Sequence, residues 1–168
     1  QPDNPYFWEL KGQILFEESR PAEAIEAHQR SVDLKPEAPL LRINLAHALI
    51  ETNDPARLNQ AVRELKLATG LEKDNTLAWR LLSQAYASQG KDGEARLATA
   101  ELYFAEGRQD QATQFALRAR DMLPRGSTEW IRAMDIVFAS GATQEDIDAA
   151  DERYQRDRPV RVIPADAG

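Results

Sequence analysis

The side chains best suited to chemistry in this 168-residue chain are two histidines, His28 and His47, and scattered carboxylates, among them Glu9, Glu17 and the run Glu145, Asp146, Asp148, Asp151 and Glu152. Zinc hydrolysis needs two histidines one helical turn apart with a glutamate between them, the HExxH pattern. His28 and His47 are nineteen residues apart, fall on different predicted helices and show no such spacing. Glu9 and Glu17 could supply acid–base catalysis only with a partner arrangement that the sequence does not provide. No GxSxG, phosphate-binding loop or dinucleotide glycine pattern occurs. The acidic run lacks the glycine-containing loop of an EF-hand. Its position at a helix start has a simpler reading, because carboxylates there are stabilised by the helix dipole. With no cysteine in the chain, thiolate metal sites and disulfides are excluded. The expectation is a segment without catalytic residues, cofactor or metal.

Composition narrows the partners. The formal net charge is −7, and a surface that neutralises phosphates needs clustered Lys and Arg, so nucleic acid is not an expected ligand. No apolar run approaches the roughly 18 residues of a membrane span, so direct membrane insertion is not expected. The chain starts at Gln1 rather than Met. A processed or excised segment is therefore expected, with any catalytic domain outside it.

The elements that position these residues follow from an internal period. Trp8, Trp79 and Trp130 are each followed eleven residues later by a turn-compatible residue, Ser19, Gly90 and Gly141. Arg42 to Asn53 and Arg96 to Gly107 repeat that spacing, and the anchors at 8, 42, 79, 96 and 130 lie 34, 37, 17 and 34 residues apart. A 34-residue period with Trp, Gly, Tyr, Ala and Pro at set offsets resembles the tetratricopeptide repeat, a helix-turn-helix unit. Trp8, Gly12, Ala24 and Pro36 carry the match in one unit, and Trp79, Leu82, Tyr86, Gly90 and Ala95 in another. His28 stands where the family has a core aromatic, so it is expected to pack rather than to ligate. N-cap candidates Asn4, Asp54, Asn75 and Ser127 bound the helices, with Thr143 and Asp146 as a loose capping box.

The resulting fold class is all-α: a tetratricopeptide-repeat solenoid of about nine antiparallel helices near 5–18, 21–34, 39–52, 55–71, 75–89, 92–106, 109–122, 127–139 and 143–155. The domain is assigned to 1–155, with an extended tail at 156–168, where two prolines interrupt any helical period. The interval of 17 is half of 34. The helix at 92–106 must therefore end one unit and begin the next, an irregular half-repeat that predicts an altered junction over 92–124. Its apolar residues, including Leu97, Ala98, Ala100, Leu102 and Phe104, spread around the helix, as packing on several sides requires.

The tetratricopeptide resemblance implies peptide binding in a concave groove lined by the first helix of each unit. On the first helix the groove candidates are Tyr6, Glu9, Gln13, Phe16 and Glu17. On the third they are Leu40, Ile43, Asn44, His47 and Glu51, and on the fifth Leu77, Arg80, Gln84 and Ser88. The mixture of apolar, amide and isolated charged groups suits a polypeptide. The carboxylate clamp of chaperone-tail readers is matched only at Asn44. Glu9 reverses an expected Lys, Gln13 replaces an Asn, and Leu77 and Leu81 replace cations.

A further resemblance is carried by NPYFWELKGQILFE, APLLRINLAHALIE, AWRLLSQAYASQG and LATAELYFAEGRQDQATQFALRA. Over roughly residues 4–140 these are similar to the C-terminal repeat region of BepA-like bacterial periplasmic zinc metalloproteases. That resemblance implies a non-catalytic protein-interaction domain of a parent zinc metallopeptidase whose HExxH domain is absent from this chain. It also implies a periplasmic location, and client or assembly-machinery polypeptides, with the protease domain of the same parent chain, as partners. The alternative is a free-standing tetratricopeptide scaffold or co-chaperone with no attached protease.

Overall fold

The structure, a computed structural model, describes residues 3–157. Among them it forms nine helices and no strand: α1 (Pro5–Glu17), α2 (Pro21–Leu34), α3 (Pro39–Ile50), α4 (Pro55–Leu71), α5 (Thr76–Ser88), α6 (Asp92–Ala105), α7 (Gln109–Met122), α8 (Thr128–Ala139) and α9 (Gln144–Asp157). The helix starts are set by local chemistry. Asn4, Asp54, Asn75 and Ser127 each accept a backbone N–H from the first turn that follows, leaving fewer orphan donors. Thr143 and Asp146 form a full reciprocal box rather than a loose one. Thr143 N–H donates to Asp146 Oδ2 at 2.8 Å, and Asp146 N–H donates to Thr143 Oγ1 at 3.2 Å. Helix α9 continues through Asp157, so residues 156 and 157, assigned to the tail from sequence, are helical. The rest of the expected tail lies outside the described residues.

Every turn that follows an anchor by eleven residues is left-handed at that residue: φ is +60° at Ser19, +51° at Asn53, +70° at Gly90, +73° at Gly107 and +82° at Gly141. The same turn therefore closes α1/α2, α3/α4, α5/α6 and α6/α7 and follows α8. Helix α6 is flanked by such turns on both sides, making it the second helix of one hairpin and the first of the next. Contacts between next-but-one helices record the change of layer, running α1–α3 and α3–α5 and then α6–α8.

Packing shows how one helix serves both arrays. Ala98 joins a core built from α3, α4 and α5, around Leu41, Leu45, Leu49 and Leu65. Two residues on, Ala100 joins a core of α6 to α9 with Ala112, Ala116, Ile136, Val137 and Ile147. Positions two apart on a helix point about 200° apart, so small residues let neighbours approach α6 from opposite sides. Helix α7 keeps the second-helix signature, with Ala112, Ala116 and Ala119 all fully buried. It is the layer assignment that shifts by one helix.

The anchor position also explains why Arg can stand where Trp is usual. Trp79 Nε1–H donates to the Lys73 carbonyl at 2.7 Å, and Arg42 Nε–H donates to the Pro36 carbonyl, also six residues back, at 2.8 Å. Arg42 then pairs with Glu64 of α4. Gly12 is dictated by a close approach, because a Cβ there would lie 2.7 Å from the His28 ring.

Candidate polypeptide-binding surfaces

The expected groove residues of α1, α3 and α5 are exposed or half-buried, with one exception. Ile43 is 1% exposed and belongs to the core, so its side chain is not a groove contact. The reason is its place in the array. Helix α3 is flanked by both α1 and α5, which cover the position after its anchor, whereas the equivalent Glu9 and Arg80 lie on helices with one inner-layer neighbour. Ile131, at the same position of α8, is likewise 50% exposed.

Two contacts join the remaining candidates across α1 and α3. Asn44 Nδ2–H donates to Glu9 Oε1 at 3.1 Å, and the Phe16 and His47 rings lie 5.0 Å apart. Gln13 donates to Glu17. Tyr6, Leu40 and Leu77 remain open to solvent at 53%, 55% and 38%. The one feature matching a carboxylate clamp, Asn44, is thus engaged by an acidic side chain that would repel a terminal carboxylate.

His28 is buried beneath Gly12, and its Nδ1 has no hydrogen-bond partner. Desolvation, with a smaller contribution from His47, lowers its pKa from 6.5 to about 4. The ring is neutral packing material rather than a ligand. In the acidic run, Asp146 caps α9, Asp148 accepts from Gln144, and Asp151 pairs with Arg120. Among the described residues no group of three His, Asp or Glu is placed to hold a metal, and no helix is long and apolar enough to cross a membrane.

A second surface was not foreseen. A cleft of about 600 Å³ lies between the C-terminal end of α4, helices α5 and α6, and the first turn of α8. Trp79, Leu82, Tyr86, Leu97 and Phe104 supply its apolar surface. Glu101, only 7% exposed, lines it and receives two hydrogen bonds from Arg132, at 2.6 and 2.8 Å. Glu94 and Glu129 line it too, without an ion-pair partner among the described residues. Burial, reinforced by these two carboxylates, raises the Tyr86 pKa. The missed signal was the register itself. Offsets that place Tyr6, Glu9, Gln13, Phe16 and Glu17 around the Trp8 anchor give Glu94, Leu97, Glu101, Phe104 and Ala105 around Arg96, and all of these line the cleft.

The helix-turn-helix pairs, left-handed turns and stacked inner layer define a tetratricopeptide-repeat domain, a protein-interaction fold. The chain belongs to the family of the cytochrome c-type biogenesis protein H TPR domain, whose sequence profile matches residues 1–102. It is also similar to the Beta-barrel assembly-enhancing protease of Escherichia coli (strain K12) and to that of Yersinia pestis. Each is 30% identical over 132 residues, 79% of this chain and 26% of the relative. The chain thus spans about a quarter of the length of these relatives, and the similarity agrees with the resemblance seen in the sequence. Among solved structures, the crystal structure of MamA has the same fold, with a TM-score of 0.60 at 18% identity, covering 93% of this chain and 83% of that one.

Proposed function

We propose that this chain is the non-catalytic polypeptide-binding domain of an envelope zinc metalloprotease, holding client or assembly-machinery segments in the concave face of α1, α3 and α5. The observation that carries the reading is the exposure of Tyr6, Leu40 and Leu77 along that face, interleaved with Glu9, Gln13, Arg80 and Gln84. An extended peptide needs such a mixture of apolar contact and hydrogen bonding. Similarity to the assembly-enhancing proteases supports the parent context, the periplasmic location, and β-barrel precursors as clients. In this reading bond cleavage falls to the HExxH peptidase domain of the parent. Replacing Tyr6, Leu40 and Leu77 together with serine should weaken capture of an unfolded β-barrel outer-membrane protein by about tenfold or more, with helical content unchanged. Undiminished capture refutes the groove assignment.

A second reading, a scaffold with no attached protease, is favoured by the family profile, whose description is of a biogenesis protein. The complete gene separates the two, since only the first requires an upstream HExxH.

A further inference from the structure

Helix α6 contributes to a cleft that lies on the side of α5 away from its groove candidates. On α5 the groove candidates Leu77, Arg80 and Gln84 each precede by two residues a cleft-lining residue, Trp79, Leu82 and Tyr86. At about 100° per residue those two stripes lie some 200° apart, on opposite sides of the helix. On α6 the relation is reversed. The offsets that face the groove in α1 place Glu94, Leu97, Glu101 and Phe104 in the cleft, because α6 has taken over the first-helix role. The cleft is therefore where the groove of the α6/α8 array meets the back of the α3/α5 array, an arrangement that a regular array would lack.

We infer that this cleft is a second peptide site, separate from the α1/α3/α5 groove, and that it takes a polypeptide segment carrying a large apolar side chain beside a lysine or arginine. The apolar half follows from Trp79, Leu82, Leu97 and Phe104, and a volume of about 600 Å³ suits a few side chains. The basic half follows from charge complementarity. Glu94 and Glu129 border Tyr86 with no ion-pair partner among the described residues; the Lys91 ammonium already lies 5.9 Å from the Tyr86 ring centroid, so the two carboxylates, not the ring, supply the attraction for a further cation. Glu101 is already neutralised by Arg132, so it contributes a fixed wall rather than a free charge. Lys66 and Lys73 line the cleft from α4 and its following turn, where they can donate to backbone carbonyls of the bound segment.

The test uses the full chain and two blocked peptides, acetyl-Gly-Leu-Arg-Phe-Gly-amide and its counterpart with Glu in place of Arg, followed by backbone and indole NMR shifts. The Arg peptide should move the Trp79 indole and the amides of Leu97 and Phe104. The Glu peptide, and separately the E94K/E129K variant, should weaken binding by about tenfold or more. A second variant, Ala105→Trp, fills the cleft without altering its charge and should also abolish the shifts, with circular dichroism confirming retained helix. The inference is overturned if neither peptide shifts these residues, if both bind equally, or if the shifts fall on Tyr6, Leu40 and Gln84. A tenfold gain in affinity on removing residues 158–168 would assign the cleft to the chain's own C-terminus and overturn it as well.

Discussion

His28 should make this fold sensitive to mild acid, and replacing it with phenylalanine should remove that sensitivity. The ring is 3% exposed, packs against Gly12 and leaves Nδ1 without a partner, so a proton placed on Nδ1 has neither water nor an acceptor. Its folded pKa of about 4 lies below the ordinary 6.5. Between those values the unfolded chain binds the proton and the native state does not. The histidine's contribution to stability is therefore complete above pH 6.5 and is lost as the pH falls through the folded value. Going from pH 7.5 to pH 5, linkage gives a loss of about 2 kcal/mol from this one ring. His47, which contributes to the shift, is exposed and stays in place in the comparison. Urea unfolding of the natural chain and His28→Phe at both pH values isolates the term, because every other titrating group is common to the two. The variant should lose about 2 kcal/mol less on acidification. Parallel losses in the two proteins would show that the ring is protonated without cost in the folded state, and the packing argument would fail.

Glycine substitutions should separate three environments in thermal unfolding. Gly12→Ala drives a methyl to within 2.7 Å of the His28 ring and should cost about 1 to 3 kcal/mol, partly recovered in a Gly12→Ala/His28→Ala double variant. Gly107→Ala adds a side chain at φ +73° and should cost about 1 kcal/mol, although nothing lies near the new atom. Gly70→Ala, in helical backbone with open space around it, should stabilise by about 0.5 to 1 kcal/mol. Arg132→Ala leaves Glu101 without its partner at 7% exposure and should cost about 1 to 3 kcal/mol in chemical denaturation, while Glu101→Gln should cost less. Equal losses in that last pair would mean that the buried charge is not what Arg132 neutralises.

What was legible in the sequence was the part fixed by local backbone chemistry. Ser19, Asn53, Gly90, Gly107 and Gly141 sit at one offset from their anchors because each closes the same turn, and that offset alone marks α6 as shared. The caps were legible for the same reason, since a capping side chain acts within its own first turn. Ile43 was not. Repeat register fixes the direction of a side chain from its helix axis, but whether that direction is covered depends on how many inner-layer neighbours the helix has. The cleft escaped on the same ground, because α4 and α8, which are far apart in sequence, line it together with α5 and α6.

The deeper consequence concerns the half-repeat. Had the anchor at Arg96 followed Trp79 by 34 residues instead of 17, α6 would be an ordinary outer helix, with the stripe now lining the cleft given no inner-layer role. Ala98 and Ala100 instead commit opposite sides of α6 to two cores, and the remaining stripe, Glu94, Leu97, Glu101 and Phe104, is left facing the cleft. Leu97 and Phe104 pack partly against the second core and Glu101 is held by Arg132, so that stripe is half covered. A half-period step in this solenoid thus puts into the cleft the offsets of α6 that in α1 hold Tyr6, Glu9, Gln13, Phe16 and Glu17.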